Sequence, residues 1–388
     1  MRSSNNFDAV RVAAAVMVVV GHHFVLIGEP APRIAGMPIH TVGVAIFFTV
    51  SGYLIAQSVT RTPSARSFLW KRFIRIVPGL ACVVLVTVFI IGPAISSLAP
   101  AAYFSAPETW SYLLNLGFIA QYDLPGVFET EPNLKATVNG SLWTLGVEVC
   151  CYIGALLLGR IRGSRLRTSA YVAAAVVLAG LSFASLPVSP AAELCVFFAL
   201  GALASTHLPN LVGPARGAAV AGAIVVLAVS PLMGGVAPAI ALWLALPTAI
   251  IWVGRMSTPG VRSAARFGDL SYGIYLWGYL VAQLLISWIG LDHPELLLVH
   301  TLGAVGILGA LSWWLIERPA LRFKGVTLGK SVPQTASSAQ STRAYELAGG
   351  SAPGSAKPVA GGSRHGSEAA FLVGAQLHRA ITMRGVQG

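Results

Sequence analysis

The stretch Arg11–Phe24 reads RVAAAVMVVVGHHF, with a guanidinium at one end and two imidazoles near the other. It lies inside a longer apolar run, 9–28, in which no charged residue follows Arg11. A helix of about 20 such residues is roughly 30 Å long, the thickness of a bilayer's hydrocarbon core. This run therefore reads as a membrane span, and the chain around it agrees. Of 388 residues, 55% are hydrophobic and only 10% charged, and the mean hydropathy is +0.72. Water-soluble domains carry roughly 25% charged residues, so the charge here is less than half of what a solvated surface needs.

Apolar runs of spanning length recur at 41–60, 76–97, 141–159, 168–186, 190–206, 216–231, 236–253, 268–290 and 296–316, which makes ten with the first. Prolines and glycines inside them are compatible with membrane helices. Charge, which played no part in drawing the runs, tests them. With the N-terminus in the cytoplasm, the connections on that side carry Arg61, Arg66, Lys71, Arg72 and Arg75, then Arg160, Arg162, Arg165 and Arg167. They continue with Arg216, then Arg255, Arg262 and Arg266, and end with Arg318, Arg322 and Lys324. The opposite side carries Arg33 and Lys135 among Glu29, Glu108, Asp123, Glu129, Glu131, Asp292 and Glu295. This is the asymmetry of the positive-inside rule. The expected fold is an all-α polytopic bundle of about ten transmembrane helices with both termini cytoplasmic.

The net charge of +12 follows from that topology. It points to membrane lipid and to no nucleic acid, since no basic run is interleaved with stacking aromatics. The first run is too long, and its end (FVLIGEPAPR) too poor a cleavage site, for a removed signal peptide. The four cysteines, Cys82, Cys150, Cys151 and Cys195, all lie in apolar runs and show neither metal spacing nor a disulfide framework. The expected domain organisation is a membrane domain over 1–325 and a Ser, Gly, Ala and Pro-rich tail over 326–388, which reads as disordered. The long outer connection, about 98–140, reads as a cap or a partly re-entrant segment.

Arg11 and His22 are eleven residues apart, which is three helical turns plus roughly 20°, or about 16 Å along one face. Arg11 then stands at the cytoplasmic mouth and His22 beyond the membrane midplane. His23 points about 100° away. An ionisable group at the depth of His22 marks function by default, because burial in lipid is costly. Glu148, in SLWTLGVEVCCY, counts as close to His22 in depth, seven residues in from the outer side of its run. A histidine oriented by a carboxylate is the usual general base. In FLWKRFIRIVPG, Arg72 and Arg75 share one face three residues apart and suit bidentate binding of phosphates. Phosphate-binding charge at the inner mouth and a base at mid-membrane suit a long phosphorylated donor whose reactive end reaches inward.

Several pieces of this chain occur in the order found in the integral-membrane acyltransferase-3 family of bacterial O-acyltransferases, which the chain resembles. They are Arg11 and His22, GVAIFFTVSGYLI with Ser51 and Tyr53, RFIR, SLWTLGVEVCCY with Ser141, Trp143 and Glu148, LSYGIYLWGYLV, and IERPALR at Glu317–Arg322. The resemblance implies an enzyme that moves an acyl group, commonly acetyl, from cytoplasmic acyl-CoA to a hydroxyl of a cell-surface or lipid-linked glycan. It implies no permanently bound cofactor. His22 would be the catalytic base with Glu148; Arg11, Arg72 and Arg75 would serve acyl-CoA; Ser51, Tyr53, Ser141 and Trp143 would line the substrate pocket. Family members often have a histidine after YLW, where this chain has Gly278. Many also carry an extracytoplasmic hydrolase-like domain, for which the tail here is too short, so the chain is expected to act alone or with a separate extracytoplasmic transfer protein as partner. Two other readings stand beside this one: acylation of a small sugar-bearing metabolite or antibiotic, and a proton-coupled small-molecule transporter, which would move its substrate without consuming CoA.

Overall fold

The computed structural model describes residues 5–62, 64–130, 136–207, 214–232, 234–262 and 268–325; the tail expected at 326–388 lies outside them. A helix stands at each of the ten apolar runs: α1 (Phe7–Leu26), α2 (Ile39–Arg61), α3 (Ala65–Val86), α4 (Trp143–Gly159), α5 (Ser164–Ser182), α6 (Ser189–His207), α7 (Pro214–Val229), α8 (Ala237–Arg255), α9 (Ser271–Ile289) and α10 (Pro294–Ser312). Seven of these, α1, α2, α3, α6, α8, α9 and α10, are long and apolar enough to cross a membrane, those of α3 and α10 continuing to Ile95 and Lys324. The apolar α4 and the apolar part of α7, Gly217–Val229, are shorter.

The helix α2 is the centre of the bundle, packed on α1 and α6 with α4 and α8 further round. Its approach to α6 depends on glycine: a Cβ at Gly52 would strike the Phe198 carbonyl, and one at Gly201 the Thr49 carbonyl. Small residues of this kind let membrane helices approach backbone to backbone, where van der Waals packing replaces the hydrophobic drive that lipid cannot supply. The outward faces are apolar. Ile90, Leu157, Val176, Val299, Ile307 and Leu315 are each more than 60% exposed, a surface that water would not tolerate at this extent and that acyl chains would cover.

Two helices widen into π-turns, at Thr87–Ile91 and Trp313–Glu317, and each is followed two residues later by a proline, Pro93 and Pro319. Proline has no N–H to donate and its ring crowds the carbonyl one turn back. Widening the preceding turn relieves that crowding without ending the helix. The second π-turn turns Glu317 into the bundle, where it is 2% exposed.

The connection between α3 and α4 packs on the bundle through the short helices Pro100–Ser105 and Pro107–Ser111 and then re-enters it. Residues 136–142 descend as irregular backbone along α9. Asn139 donates to the Leu276 carbonyl at 2.9 Å, Gln283 donates to the Thr137 carbonyl at 3.0 Å, and the Tyr275 hydroxyl donates to the Ser141 carbonyl at 2.7 Å. Non-helical backbone at membrane depth survives only where protein satisfies its polar groups. In consequence α4 starts inside the bundle, at the level of Tyr275, and not at its outer edge.

Candidate active site

A cavity of about 480 Å³ opens among α1, α2, α3, α4 and α9. Its walls include Arg11, Arg72, Arg75, Ser51, Glu148, Tyr152, Asp269, Tyr272, Tyr275 and Lys324. Arg72 and Arg75, which the sequence puts on one face of α3, both line this cavity together with Arg11 and Asp269. The two arginines are not equivalent, however. Arg75 is held by Asp269 and by Glu317, the latter at 3.0 Å, and its guanidinium lies 5.4 Å from the Tyr272 ring centre. Asp269 also meets Arg11 at 3.3 Å and accepts from the Ser271 hydroxyl at 2.6 Å. Burial pushes the Asp269 carboxyl up, but Arg75 and Arg11 together with Ser271 hold it below the usual carboxylate range. Glu317 accepts in addition from Ser312 at 2.9 Å. Arg75 is thus committed to a buried lattice of ion pairs, whereas the Nε of Arg72 is buried with no hydrogen-bond partner.

The sequence expectation that Glu148 lies close to His22 in depth is corrected by the packing of α1 on α2. These helices run antiparallel with the His22 ring stacked on that of His40, centroids 5.0 Å apart and planes at 22°. Ser51 follows His40 by eleven residues and Arg11 precedes His22 by eleven, so Ser51 comes level with Arg11, about 16 Å along the axis from His22. Glu148 is bound at that level: it accepts from the Ser51 hydroxyl at 3.0 Å and from the Tyr152 hydroxyl. The sequence count started α4 at the outer surface, but the re-entrant segment carries its first turn to mid-bundle, which lowers Glu148 by the same amount.

The other expected pocket residues divide. Ser51 lines the cavity; Tyr53 turns away from it, its ring 5.5 Å from that of Phe7. Ser141 and Trp143 lie outside the lining, in the re-entrant segment and at the first residue of α4. Ser141 receives Tyr275 through its backbone carbonyl, while its hydroxyl is buried with no partner. His23 is 2% exposed and its Nδ1 has no partner. Gly278 faces α1 closely, since a Cβ there would lie 2.6 Å from Val19.

Sequence reasoning missed four features. One is His40. The second is the face of α9 formed by Tyr272, Tyr275 and Tyr279 at positions i, i+3 and i+7, which runs from Arg75 past Phe47 to His22. That helical spacing was legible in LSYGIYLWGYLV. The third is Asp269, and the fourth Lys324, which lines the cavity from the end of the continuation of α10. Nothing local in the sequence marks either, because each acquires its neighbours only through tertiary packing. On the outer side the cavity ends at Val44, Phe47, Thr144 and Tyr275, and Val44 is four residues, about 6 Å, from His40.

The two arginines should therefore respond differently to substitution. If Arg72 serves an acyl-CoA donor, as the resemblance implies, Arg72→Gln should insert normally and raise the apparent KM for acyl-CoA about 10-fold or more, the magnitude of one lost charge-assisted contact. An unchanged KM and unchanged binding of CoA in detergent would make Arg72 a topology signal only.

The chain matches the family model described as an acyltransferase domain over residues 4–318. It is 30% identical over 334 residues to a protein named O-acetyl transferase from Shigella phage Sf6, an alignment covering 82% of this chain and 96% of that protein. It is 28% identical over 358 residues to Nodulation protein 10 of Rhizobium leguminosarum bv. viciae, covering 82% of this chain and 94% of the relative. No solved structure matches it.

Proposed function

From the premise that this chain belongs to the acyltransferase-3 family and is an O-acyltransferase, we propose that it transfers an acetyl group from acyl-CoA to a hydroxyl of a cell-surface or lipid-linked glycan. The observation that carries this reading is the arrangement of the cavity. Arg72, whose Nε has no hydrogen-bond partner among the described residues, and Lys324 both line it, and the Tyr272 and Tyr275 of its wall lie on the face of α9 that reaches His22 through Tyr279. The phosphates of CoA would meet Arg72 and Lys324, with Arg11 beside them and Arg75 holding the mouth in shape. The acyl-bearing arm would run past Ser51 and Glu148. To deliver its thioester to His22 it must part the contact between Phe47 and Tyr275, whose rings stand 5.7 Å apart at the cavity's end.

The chemistry is proton transfer and displacement. A sugar hydroxyl is a weak nucleophile, so His22 takes its proton as the oxygen attacks the thioester carbonyl. The carbon–sulfur bond then breaks, and the CoA thiolate leaves and recovers the proton from His22. Mass spectrometry of surface glycans from cells with and without the gene tests the reading: an acetyl group lost on deletion and restored by the gene is expected. Identical glycans would overturn it.

In this proposal the enzyme lies in the bacterial inner membrane, crosses it ten times and keeps both ends in the cytoplasm. A separate extracytoplasmic protein would hand on the acyl group where the final acceptor is distant from the membrane. Reporters fused after Gly163 and after Lys324 should then give a cytoplasmic signal, and one fused after Glu131 an exterior signal. A cytoplasmic signal at Glu131 would reverse the orientation.

A further inference from the structure

A histidine that accepts a proton during turnover needs its ring held in one orientation, a task commonly done by a carboxylate. Glu148 stands about 16 Å away along the axis and cannot perform it. The rings that touch His22 are those of Tyr279, centroids 5.1 Å apart and planes at 72°, and of His40, which stacks on it. Space for His40 is provided by Gly21. A Cβ at Gly21 would lie 2.6 Å from the Cβ and backbone nitrogen of His40 and 2.8 Å from its Nδ1. The first turn of α2 is itself anchored, because the Ile39 N–H donates to the Pro32 carbonyl at 2.7 Å, beside a hairpin that pairs Arg33 with Pro38. His40 is thus a side chain on a fixed backbone, pressed against His22 through a gap that only glycine leaves.

We propose that His40 is the positioning residue of the transfer site, holding the His22 ring toward the acceptor hydroxyl by stacking. The inference rests on His22 being the base. His40 carries no proton in the step. The hydroxyl proton passes to His22, the new oxygen–carbon bond forms as the carbon–sulfur bond breaks, and the thiolate takes the proton.

The test uses the full-length protein in detergent-solubilised membranes of the producing cells, which retain the native acceptor, with labelled acetyl-CoA as the probe. Label in the glycan fraction is measured against acetyl-CoA concentration. His40→Ala is expected to lower the apparent kcat about 10-fold to 100-fold, the cost of a misplaced reacting group, with the KM for acetyl-CoA unchanged. His40→Phe, which keeps a flat ring against His22, should recover most of the rate, and His40→Leu, which fills the volume without one, should not. Gly21→Ala should resemble His40→Ala. A normal kcat for His40→Ala would overturn the proposal, as would His40→Phe no better than His40→Leu; the Phe and Leu pair still decides if the alanine variant fails to fold. His22→Ala run in parallel separates the two levels. Full activity there would remove His22 as base and the proposal with it, whereas loss of activity there with a normal His40→Ala would remove the positioning role alone.

Discussion

Replacing His22 with alanine should lower kcat by about 100-fold or more, the contribution of a general base to such a transfer, while acyl-CoA binding is largely retained. The separation of the site into two levels makes this specific. His22 is about 16 Å along α1 from Arg11, and its ring neighbours are His40 and Tyr279, not the cationic mouth. Arg11→Gln should do the opposite. It removes a group that stands at the mouth in contact with Asp269, so the apparent KM for acetyl-CoA should rise with a smaller change in kcat, as when binding felt equally in ground and transition states is lost. A purified His22→Ala protein that acylates its glycan at a near-normal rate would make the histidine a structural residue. If both variants shifted KM alone, the two-level description of the site would be wrong.

Arg75→Gln should destabilise the protein where Arg72→Gln does not. Asp269 and Glu317 both depend on Arg75, with side-chain exposures of 15% and 2%. Removing the arginine leaves Glu317 in the bundle without its cation and Asp269 with Arg11 alone, and breaking a buried pair from one side costs about 3 kcal/mol or more. The expected result is a lower melting temperature in detergent and poor recovery from membranes, before any assay of activity. The double change of Arg75 and Glu317 to Gln and Leu should recover part of the loss, because it also removes the carboxylate left without a cation. An Arg75→Gln protein as stable as the parent, with weakened CoA binding, would instead place Arg75 among the donor-binding groups beside Arg72.

The apolar runs mark where helices form, since a bilayer leaves a chain few ways to satisfy its backbone other than a helix, and hydropathy is a local property. The same holds for Arg11 and His22 sharing a face of α1, and for Arg72 and Arg75 sharing one of α3: helical periodicity alone puts them there. Family motifs added which chemistry to expect. What the runs did not reveal was depth. A helix boundary read from composition says nothing about the level at which the helix begins, and α4 begins at mid-bundle because Asn139, Gln283 and Tyr275 pin residues 137–141 to α9.

The sequence by itself therefore determined the helices, the charge asymmetry of their connections and the faces on which Arg11, His22, Arg72 and Arg75 lie. Only the tertiary structure decided which of these groups meet. It placed Glu148 with Ser51 and Tyr152 rather than with His22, committed Arg75 to Asp269 and Glu317 while leaving the Nε of Arg72 unpartnered, and set His40 against His22. The physical reason is that a period along one helix fixes directions about its own axis, whereas the register between helices is set by side chains such as Gly21, Gly52 and Asn139, whose effect exists only once another element is packed against them.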